Sequence, residues 1–289
     1  MKKETVFGVI GHPIAHSMSP AMHNAVFEEL DLGYRYEKFD VAPNDLKKRI
    51  GDFQKEGFLG LNVTIPHKVE VRNFLTESSQ EANVIGAVNT IKFEGKKVIG
   101  YNTDGIGCVA ALRESGVKLA DQNVLVLGAG GAGRAIVAQC LFEKACVAVT
   151  DYLSKKAYNL AIQLSEKAGG IAIAVENDSA TLKPIIEKTD VLINASPVGM
   201  HPNVAETPID PKLLHEDLTV MDIIYNPLET SLLRQAKAAG CATVDGLGMF
   251  VHQGAASLKI WLGIDAPIEV MRKTVEKHLK EGIVEDNNI

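Results

Sequence analysis

A glycine-rich segment near the middle of the chain constrains the fold more than any other feature of the sequence. Gly128, Gly130 and Gly133 have the spacing GxGxxG, and they follow the apolar run Val124–Leu127 and precede the helical pattern Arg134–Phe142. In this context the glycines allow a tight turn, a close backbone approach to a pyrophosphate, and close packing of the helix on the strand. The segment therefore predicts a dinucleotide site, and a glycine turn that merely packs is the alternative.

Apolar strands alternate with helical segments through the rest of this half of the chain. Each apolar run is short and continuous, as in strands that are buried on both faces of a parallel sheet. Further strand candidates are Cys146–Thr150, Ile171–Val175, Val191–Asn194 and Thr219–Asp222, and two C-terminal helices are expected at about Met249–Leu262 and Pro267–Lys280. The pattern predicts a doubly wound sheet of the Rossmann type.

The first hundred residues show a second α/β pattern. Strands are predicted over Thr5–Ile10, Tyr34–Val41 and Gly60–Ile65, helices over about 20–30 and 44–55, and a hairpin over Ala87–Tyr101. We expect Pro66 to begin another helix, because proline is well tolerated at the first helical position, and Lys68 to lie on its first turn. A chain of 289 residues is longer than one average domain, so we predict an α/β protein of two domains.

Asp151, which follows the second strand of the glycine-containing half, indicates which dinucleotide is bound. It lies about 20 residues after the first glycine of the segment, where a carboxylate can accept hydrogen bonds from the adenosine ribose and would repel a 2′-phosphate. Thr150 offers a neighbouring hydroxyl, and no arginine is close in sequence, although Lys155 and Lys156 follow. We therefore favour NAD over NADP. Asp151 as the N-cap of the next helix is compatible with this role.

Two polar clusters interrupt the first half where packing alone would not require polar residues. Thr64 lies near the carboxyl end of the predicted strand Gly60–Ile65, at the edge where open α/β sheets bind ligands, and Lys68 comes just after it. Asn89 and Asp104 lie across the predicted hairpin from each other. A lysine and a carboxylate in a cleft can manage the proton on a substrate hydroxyl while a hydride is transferred. The alternatives are that Lys68 is a solvated side chain and that Asp104 is a helix N-cap.

The segment HSMSPAMH places two serines before a proline, in a loop that opens a helix. Hydroxyls and unpaired N–H groups at such a helix start suit a carboxylate, so Ser17 and Ser19 are candidate substrate ligands, and N-capping by Ser19 is the alternative. No acidic or cysteine cluster accompanies the nearby histidines, which are His12, His16 and His23. We therefore expect no metal site.

Charge and composition argue against some classes of function. The formal charge is −6 and the pI about 5.8, which argues against broad non-specific binding to nucleic acid. No segment approaches the roughly 18 uninterrupted apolar residues of a membrane span. The four cysteines form no CxxC pair, so we expect reduced thiols in a cytoplasmic protein.

Taken together, these clusters resemble the shikimate dehydrogenase family, including its quinate/shikimate branch. The resemblance covers nearly the whole chain and rests on segments that are specific jointly rather than singly: HSMSPAMHN (16–24), NVTIPHK (62–68), GAVNT (86–90), GYNTDG (100–105), GAGGAG (128–133), NASPVGM (194–200), YNPLET (225–230) and GLGMFVHQG (246–254). It implies the family reaction, the reversible NAD(P)-dependent reduction of 3-dehydroshikimate to shikimate on the way to chorismate and the aromatic amino acids.

The resemblance also implies roles for individual residues. It makes Lys68 and Asp104 the catalytic acid–base pair. The residues implied to contact the substrate are Ser17, Ser19, Thr64, Asn89, Tyr225 and Gln253. Those implied to contact the cofactor, beside Thr150 and Asp151, are Gly128, Ala129, Gly130, Gly131 and Ala132 at the pyrophosphate, with Ile223, Gly246 and Met249 near the nicotinamide.

The family fold implies that the C-terminal helices return to the first domain. We therefore expect a substrate-binding and catalytic domain of residues 1–104 plus about 249–289, and a Rossmann domain of residues 105–248. One departure concerns Asp151-Tyr152-Leu153, because many members dedicated to NADP resemble Asn-Arg-Thr there. The missing arginine favours the NAD-using branch.

Alternatives stay open within this resemblance and outside it. An NAD-preferring quinate/shikimate dehydrogenase is the nearest, because the sequence does not measure whether the pocket has room for the extra hydroxyl of quinate. A non-catalytic dinucleotide sensor belongs to another class, but a sensor need not keep both Lys68 and Asp104. An enzyme like an amino-acid dehydrogenase fits the first-half clusters less well. Monomer and homodimer are both compatible with the sequence.

Overall fold

A computed structural model describes residues 5–286 of the protein. Its tertiary contacts divide the chain into two compact units. Unit 1 comprises the described residues up to Thr103 together with those from Gln253 onward, and unit 2 comprises Asp104–His252. Each unit contains a six-stranded sheet of its own within the described residues.

The elements follow the alternating pattern of an α/β protein. The strands are β1 (Thr5–Gly11), β2 (Tyr34–Asp40), β3 (Gly60–Val63), β4 (Glu77–Ser78), β5 (Thr90–Glu94), β6 (Lys97–Tyr101), β7 (Asn123–Leu127), β8 (Cys146–Thr150), β9 (Ala172–Ala174), β10 (Val191–Asn194), β11 (Thr219–Asp222) and β12 (Ala242–Val244). The helices are α1 (Ser19–Glu29), α2 (Leu46–Glu56), α3 (Gln80–Ile85), α4 (Asp104–Glu114), α5 (Gly131–Phe142), α6 (Ser154–Ala168), α7 (Ser179–Ile186), α8 (Ser231–Ala238), α9 (Gly246–Leu262) and α10 (Ile268–Asp286). Short 3-10 helices occupy Pro43–Asp45, Glu70–Phe74 and Pro211–Leu213.

The sheet of unit 1 is mixed, with the strand order β2-β1-β3-β5-β6-β4. β1 is parallel to β2 and β3, whereas β5 is antiparallel to both β3 and β6. In such a sheet the carboxyl ends of β1, β3 and β6 and the amino end of β5 share one edge. Most of the polar segments in which we predicted substrate residues lie at that edge.

Alternate residues of β1 supply the cores on the two faces of this sheet. Ile10 packs in one core with Phe53 of α2, while Phe7 contacts Phe27 of α1 on the other face, with ring centroids 5.6 Å apart. This follows from the two-residue period of a strand. The C-terminal helices cover the α1 face, and the Trp261 indole N–H donates to the Ile91 carbonyl oxygen at 2.8 Å.

The sheet of unit 2 is entirely parallel, with the strand order β12-β11-β10-β7-β8-β9. The chain builds outward from β7 to β9 and then returns to place β10 on the other side of β7. Strand order therefore reverses between β7 and β10, and open α/β sheets bind ligands at such a reversal, beyond the carboxyl ends of the strands. The expected two-part α/β architecture with a Rossmann-type sheet is confirmed.

α10 and the part of α9 from Gln253 onward belong to unit 1, in agreement with the prediction that the C-terminal helices return to the first domain. α10 packs against α1, and a side-chain carbon added at Gly254 of α9 would meet Met22 of α1 and Met271 of α10. α9 begins at Gly246, three residues before the expected Met249. It starts early because Asp245 accepts hydrogen bonds from the first N–H groups of the helix, at 3.1 and 3.3 Å.

The helix expected to begin at Pro66 does not form, and this prediction is wrong. Pro66 lies in a turn, and only the 3-10 helix Glu70–Phe74 follows. Tertiary hydrogen bonds compete with the helix here: the Lys68 carbonyl oxygen accepts from the Val88 N–H at 2.7 Å, and the buried His67 ring bonds to a backbone carbonyl at 2.7 Å. Lys68 therefore lies in a connecting turn rather than on a helix.

The described residues can also be searched for membrane-spanning helices, metal-binding groups and disulfides. Among residues 5–286, no helix has the length and apolar character needed to cross a membrane, and no group of three or more His, Cys, Asp or Glu is arranged to hold a metal ion. All four cysteines are free thiols, and only Cys146 is exposed. Burial raises the pKa of Cys140 to about 12, so this thiol stays protonated near neutral pH.

Candidate functional site

Four predicted substrate residues and the predicted catalytic Lys68 lie along one edge of the unit 1 sheet. Ser17 and Ser19 follow β1, and Thr64 and Lys68 follow β3, which is a parallel neighbour of β1. Asn89 directly precedes β5, and because β5 is antiparallel to β3 its amino end reaches the same edge. The topology therefore gathers residues from three separate sequence motifs.

The two serines are joined by a tight turn at the start of α1. Ser19 is the first helical residue and is buried, and its N–H donates to the Ser17 hydroxyl oxygen at 3.3 Å. Met18 holds the N-cap position, and no side chain caps this helix. N-capping by Ser19 is thus wrong, and both hydroxyls lie at the amino end of α1, where negative charge is stabilised.

Behind this edge, five buried polar side chains form one hydrogen-bonded network, the polar hub: Asn62, Asn89, Thr90, Thr103 and Ser257. Asn62 Nδ2 lies 3.2 Å from the Asn89 carbonyl oxygen, 3.2 Å from Thr90 Oγ1 and 3.0 Å from Ser257 Oγ. Buried polar groups cost free energy unless they are hydrogen-bonded, and a fully bonded network is rigid. The hub is therefore a rigid polar layer inside unit 1.

The hub determines how the Asn89 amide is oriented. The Thr103 backbone N–H, which can only donate, lies 2.8 Å from Asn89 Oδ1, and the Thr90 hydroxyl donates to the same oxygen at 2.9 Å. The Asn89 oxygen therefore faces the interior. Nδ2 donates to Thr103 Oγ1 at 2.8 Å. Toward a ligand, Asn89 is consequently a donor rather than an acceptor.

Tyr36 links the hub to the serine turn. Its hydroxyl donates to Asn62 Oδ1 at 2.7 Å and is also hydrogen-bonded by the Ser19 side chain. Burial raises the pKa of Tyr36 well above its usual value, against a smaller opposing effect of the Ser19 bond. The phenol therefore keeps its proton and remains a donor to Asn62.

His23 and Asn24 of α1 hold Tyr36 in place. Asn24 Oδ1 accepts from the Tyr36 N–H at 2.8 Å, and Asn24 Nδ2 donates to the Tyr36 carbonyl at 3.0 Å. The His23 ring stacks on the Tyr36 ring with centroids 4.4 Å apart. Burial lowers the pKa of His23 to about 3, and neither ring nitrogen has a hydrogen-bond partner among the described residues. His23 is thus a neutral packing residue.

Sequence reasoning assigned no role to several residues of this network, among them Asn62, Ser257 and Tyr36. Asn62 carried a signal, because it interrupts an otherwise apolar buried strand. Ser257 lies one helical turn after Gln253, and its hydroxyl donates to the Gln253 carbonyl at 3.0 Å, which the i, i+4 spacing allowed one to expect. Tyr36 carried no signal that separates it from an ordinary core tyrosine.

Asp104 and Tyr225 are the predicted substrate and catalytic residues that belong to unit 2. Asp104 is buried and is the first residue of α4, so its assignment as an N-cap is wrong. Together with burial and Cys140, its charge raises the pKa of the Cys108 thiol one turn further along the helix. Tyr225 follows β11, and its ring stacks on that of Phe250 with centroids 4.2 Å apart.

The glycine segment of unit 2 forms a cradle that side chains would fill. Gly128 has φ +108°, and a Cβ there would lie 2.9 Å from the Ala195 carbonyl oxygen, while a Cβ on Gly133 would lie 2.0 Å from the Gly128 oxygen. Gly130 is the N-cap of α5, and a Cβ there would meet no atom within 4 Å. Open space above unpaired helix N–H groups fits the pyrophosphate of a dinucleotide.

Asp151 binds the glycine segment directly. Its Oδ2 accepts from the Ala129 N–H at 2.8 Å, and its Oδ1 accepts from the Leu153 N–H at 2.9 Å. α6 begins at Ser154 with Leu153 as its N-cap, so Asp151 is not the cap of this helix. The carboxylate therefore joins the ends of β7 and β8, where a ribose would lie in a Rossmann fold.

The other predicted cofactor residues lie at or beyond the carboxyl ends of the unit 2 strands. Thr150 ends β8, and its carbonyl oxygen accepts from the Gly128 N–H at 2.7 Å, whereas its hydroxyl is buried without a hydrogen-bond partner among the described residues. Ile223 follows β11, and Gly246 follows β12 at the start of α9, where Met249 is buried. They share one edge because all six strands are parallel.

A buried carboxylate that sequence reasoning missed holds two of the connecting segments at this edge. Asp222 accepts from Asn194 Nδ2 at 3.1 Å, from the Ile224 N–H at 3.1 Å and from the Thr230 hydroxyl at 2.7 Å. Burial raises the pKa of Asp222, against the smaller opposing effect of these hydrogen bonds. The network fixes the segments that follow β10 and β11.

Comparison with known families and structures agrees with this geometry. The Shikimate dehydrogenase substrate binding domain matches residues 9–91, the Saccharopine dehydrogenase NADP binding domain matches residues 124–247, and the Shikimate 5'-dehydrogenase C-terminal domain matches residues 246–276. The three matches correspond to the sheet of unit 1, the sheet of unit 2, and the helices that follow it.

Individual relatives match along nearly their whole length. The shikimate dehydrogenase (NADP(+)) of Methanocaldococcus jannaschii is 45% identical over 274 residues, which cover 94% of this chain and 96% of that protein. A solved shikimate dehydrogenase in complex with NADP+ has a TM-score of 0.91 at 42% identity, covering 96% of this chain and 97% of that one. The shikimate 5-dehydrogenase of Listeria monocytogenes, solved with shikimate and NAD, has a TM-score of 0.88 at 31% identity, covering 95% and 97%. The chain therefore belongs to the shikimate dehydrogenase family.

Proposed function

We propose that this chain catalyses the reversible reduction of 3-dehydroshikimate to shikimate with a nicotinamide dinucleotide. The observation that carries the proposal is the 45% identity, over 94% of the chain, to a relative named for this activity. The gathering of four predicted substrate residues and the predicted catalytic Lys68 at one sheet edge of unit 1 also supports it. The reaction supplies a precursor of chorismate and the aromatic amino acids.

In this proposal the substrate carboxylate and hydroxyls are bound by the side chains that the family resemblance implies. Ser17 and Ser19 hold the carboxylate, because their hydroxyls lie at the amino end of α1. The side chains that contact the ring hydroxyls and the carboxylate are Thr64, Asn89, Tyr225 and Gln253. Asn89 donates to a hydroxyl oxygen, in keeping with an amide oxygen that is already bonded inside the hub.

Lys68 and Asp104 form the proposed acid–base pair. In the direction of reduction, Lys68 donates a proton to the carbonyl oxygen at C3 as a hydride reaches C3, and Asp104 stabilises the charged ammonium. In the reverse direction, Lys68 accepts the proton of the 3-hydroxyl. When bound, the dinucleotide supplies the hydride in one direction and takes it up in the other.

The glycine segment holds the dinucleotide in this proposal. Residues 128–132 surround the pyrophosphate, which binds the N–H groups at the start of α5, and Thr150 and Asp151 lie at the adenosine ribose. Ile223, Gly246 and Met249 line the nicotinamide end. The open space over Gly130 and the helix start supports this arrangement, because both suit an anionic group.

We further propose that NAD is preferred to NADP. The archaeal relative is named for NADP(+), whereas the Listeria protein was solved with NAD, so both dinucleotides occur among similar proteins. Asp151 is a carboxylate at the end of β8, and it would repel a 2′-phosphate. The coarser statement, use of a nicotinamide dinucleotide, does not depend on this preference.

Steady-state turnover of shikimate and quinate with NAD and with NADP tests the proposal. We expect shikimate to be oxidised with a kcat/KM at least tenfold above that for quinate, and NAD to be the better cofactor. Turnover of quinate alone would assign the chain to the quinate branch. Tight dinucleotide binding without turnover of either acid would indicate a non-catalytic sensor and would refute the enzymatic proposal.

The state of the cysteine thiols indicates the cellular compartment of the protein. All four cysteines are free and three are buried. Free, buried thiols are typical of proteins in reducing compartments, so we propose the cytoplasm as the location. Fractionation of cells that express the native gene tests this.

A further inference from the structure

A continuous series of buried hydrogen bonds runs through the interior of unit 1. It begins at Ser19, passes through the Tyr36 hydroxyl to Asn62, and continues to Ser257 and the rest of the polar hub. We call this series the inner hydrogen-bond chain. Tyr36 is 1% exposed and Ser257 is 0% exposed, so neither side chain is a surface residue at the substrate edge.

Donor and acceptor counting fixes the direction of these bonds. The Asn89 carbonyl oxygen accepts only, so the Asn62 amide must turn its Nδ2 toward Asn89 and its Oδ1 toward Tyr36. Tyr36 must then donate to Asn62, and its oxygen accepts the Ser19 hydroxyl proton until a substrate carboxylate takes that proton. In this orientation the Asn62 amide is bonded by the hydroxyls of Tyr36 and Ser257, two residues that are not themselves predicted to contact the substrate.

Ser257 connects the same network to α9. Its hydroxyl oxygen lies 3.0 Å from Asn62 Nδ2, 2.9 Å from Thr90 Oγ1 and 3.0 Å from the Gln253 carbonyl oxygen. Gln253 is a predicted substrate residue, and Thr90 bonds to Asn89, which is another. Ser257 thus joins two segments that each carry a substrate side chain.

We propose that Tyr36 and Ser257 are positioning residues that act through Asn62 and Thr90 to hold Asn89 and Gln253 in the geometry needed to bind the substrate. This inference rests on the proposed function. Removing either hydroxyl leaves buried partners with an unmatched hydrogen-bonding group, and the network then relaxes away from the single arrangement described above. Substrate affinity is affected, because the displaced side chains bind the substrate, whereas cofactor affinity is not, because the cofactor residues lie in unit 2.

Kinetics of Tyr36→Phe and Ser257→Ala, singly and together, test the inference. For each single variant we expect the KM for shikimate to rise roughly tenfold, with kcat changed less than threefold and the KM for the dinucleotide unchanged. The double variant should lose less than the product of the two single effects, because both act on one network. Chemical denaturation of each variant measures stability separately.

Matched controls remove hydroxyls elsewhere. Tyr34→Phe changes the same residue type in the same strand, and Ser165→Ala removes a hydroxyl that makes two backbone hydrogen bonds in unit 2, at 3.2 and 2.9 Å. Both should leave the KM for shikimate unchanged. Variants of Tyr36 and Ser257 that lose stability but keep the wild-type KM would refute the positioning role. Failure of the wild type to turn over shikimate would instead refute the proposed function.

Discussion

The two units differ in the groups that they offer to their proposed ligands: unit 1 offers side chains, and unit 2 offers backbone. At the sheet edge that carries the predicted substrate residues, unit 1 has polar side chains in front of a buried hydrogen-bonded hub, whereas the glycine segment of unit 2 presents backbone and open space. The Asn89 oxygen is held by donors at 2.8 and 2.9 Å, while a Cβ on Gly130 would meet nothing within 4 Å. Recognition of hydroxyls requires directed side chains, whereas recognition of a pyrophosphate requires the chain to come close.

This difference predicts which changes each unit tolerates. We expect unit 1 to lose substrate affinity when side-chain atoms of its network are removed, because buried partners then lose their hydrogen bonds. We expect the glycine segment of unit 2 to lose dinucleotide affinity or stability when atoms are added, because a side chain would occupy the space of the ligand or of a neighbouring carbonyl.

Removal of the Lys68 side chain tests the proposed chemistry of unit 1 and should have the largest effect. For Lys68→Ala we expect kcat for shikimate oxidation to fall by roughly 10²–10⁴, because general acid–base catalysis contributes that much, while KM changes little. Lys92→Ala, which removes a half-buried lysine from β5 of the same unit, is the control. Unchanged turnover of Lys68→Ala would exclude it as the acid–base group.

Acid should destabilise the protein through His23 of unit 1. Its pKa is about 3 in the folded state and 6.5 in the unfolded state, so the unfolded chain binds the proton first as pH falls. The stability that His23 contributes is complete above pH 6.5 and is lost between pH 6.5 and 3, at about 1.4 kcal/mol per pH unit.

Replacement of His23 by Phe isolates this contribution. We expect the free energy of unfolding of His23→Phe to fall less between pH 7 and 4.5 than that of the wild type, by roughly 2–3 kcal/mol. Denaturant titrations at several pH values measure the difference. Parallel pH profiles for the two proteins would show that His23 is not the group responsible.

Two glycine substitutions test the opposite behaviour of unit 2. Gly133→Ala should lower the free energy of unfolding by about 2–4 kcal/mol, because its Cβ would lie 2.0 Å from a carbonyl oxygen. Gly130→Ala should cost no more than about 1 kcal/mol of stability, as an N-cap change, and should weaken dinucleotide binding about tenfold. Titration calorimetry measures the dinucleotide affinity of each variant, and chemical denaturation measures its free energy of unfolding. Unchanged dinucleotide affinity in Gly130→Ala would place the pyrophosphate elsewhere.

Substitution of Asp151 should have the smallest effect and tests the NAD preference. For Asp151→Asn we expect the ratio of kcat/KM for NAD to that for NADP to fall by about three- to tenfold, because the repulsion of a 2′-phosphate is removed. Asparagine keeps an oxygen for the Ala129 N–H. An equal loss with both dinucleotides would mean that Asp151 acts only by holding the glycine segment.

Local patterns predicted the elements whose formation depends on neighbours in sequence. The strand before Gly128 and the helix after it could be read directly, because apolar continuity and glycine spacing are local signals. The helix at Pro66 was wrong because the Lys68 carbonyl bonds to Val88, twenty residues away. Helix propensity depends on the residues of the segment itself, so it could not predict a hydrogen bond to a distant residue.

The sequence by itself determined the α/β class, the dinucleotide turn and the motifs that carry the proposed site residues, because each depends on residue type and short spacing. Only the tertiary structure decided how Tyr36, Asn62 and Ser257 meet behind those motifs. Asn62 and Ser257 are 195 positions apart in sequence, and their hydrogen bond exists because α9 returns to the sheet of unit 1. Donors and acceptors so far apart in the chain are matched by packing, and no local pattern specifies that match.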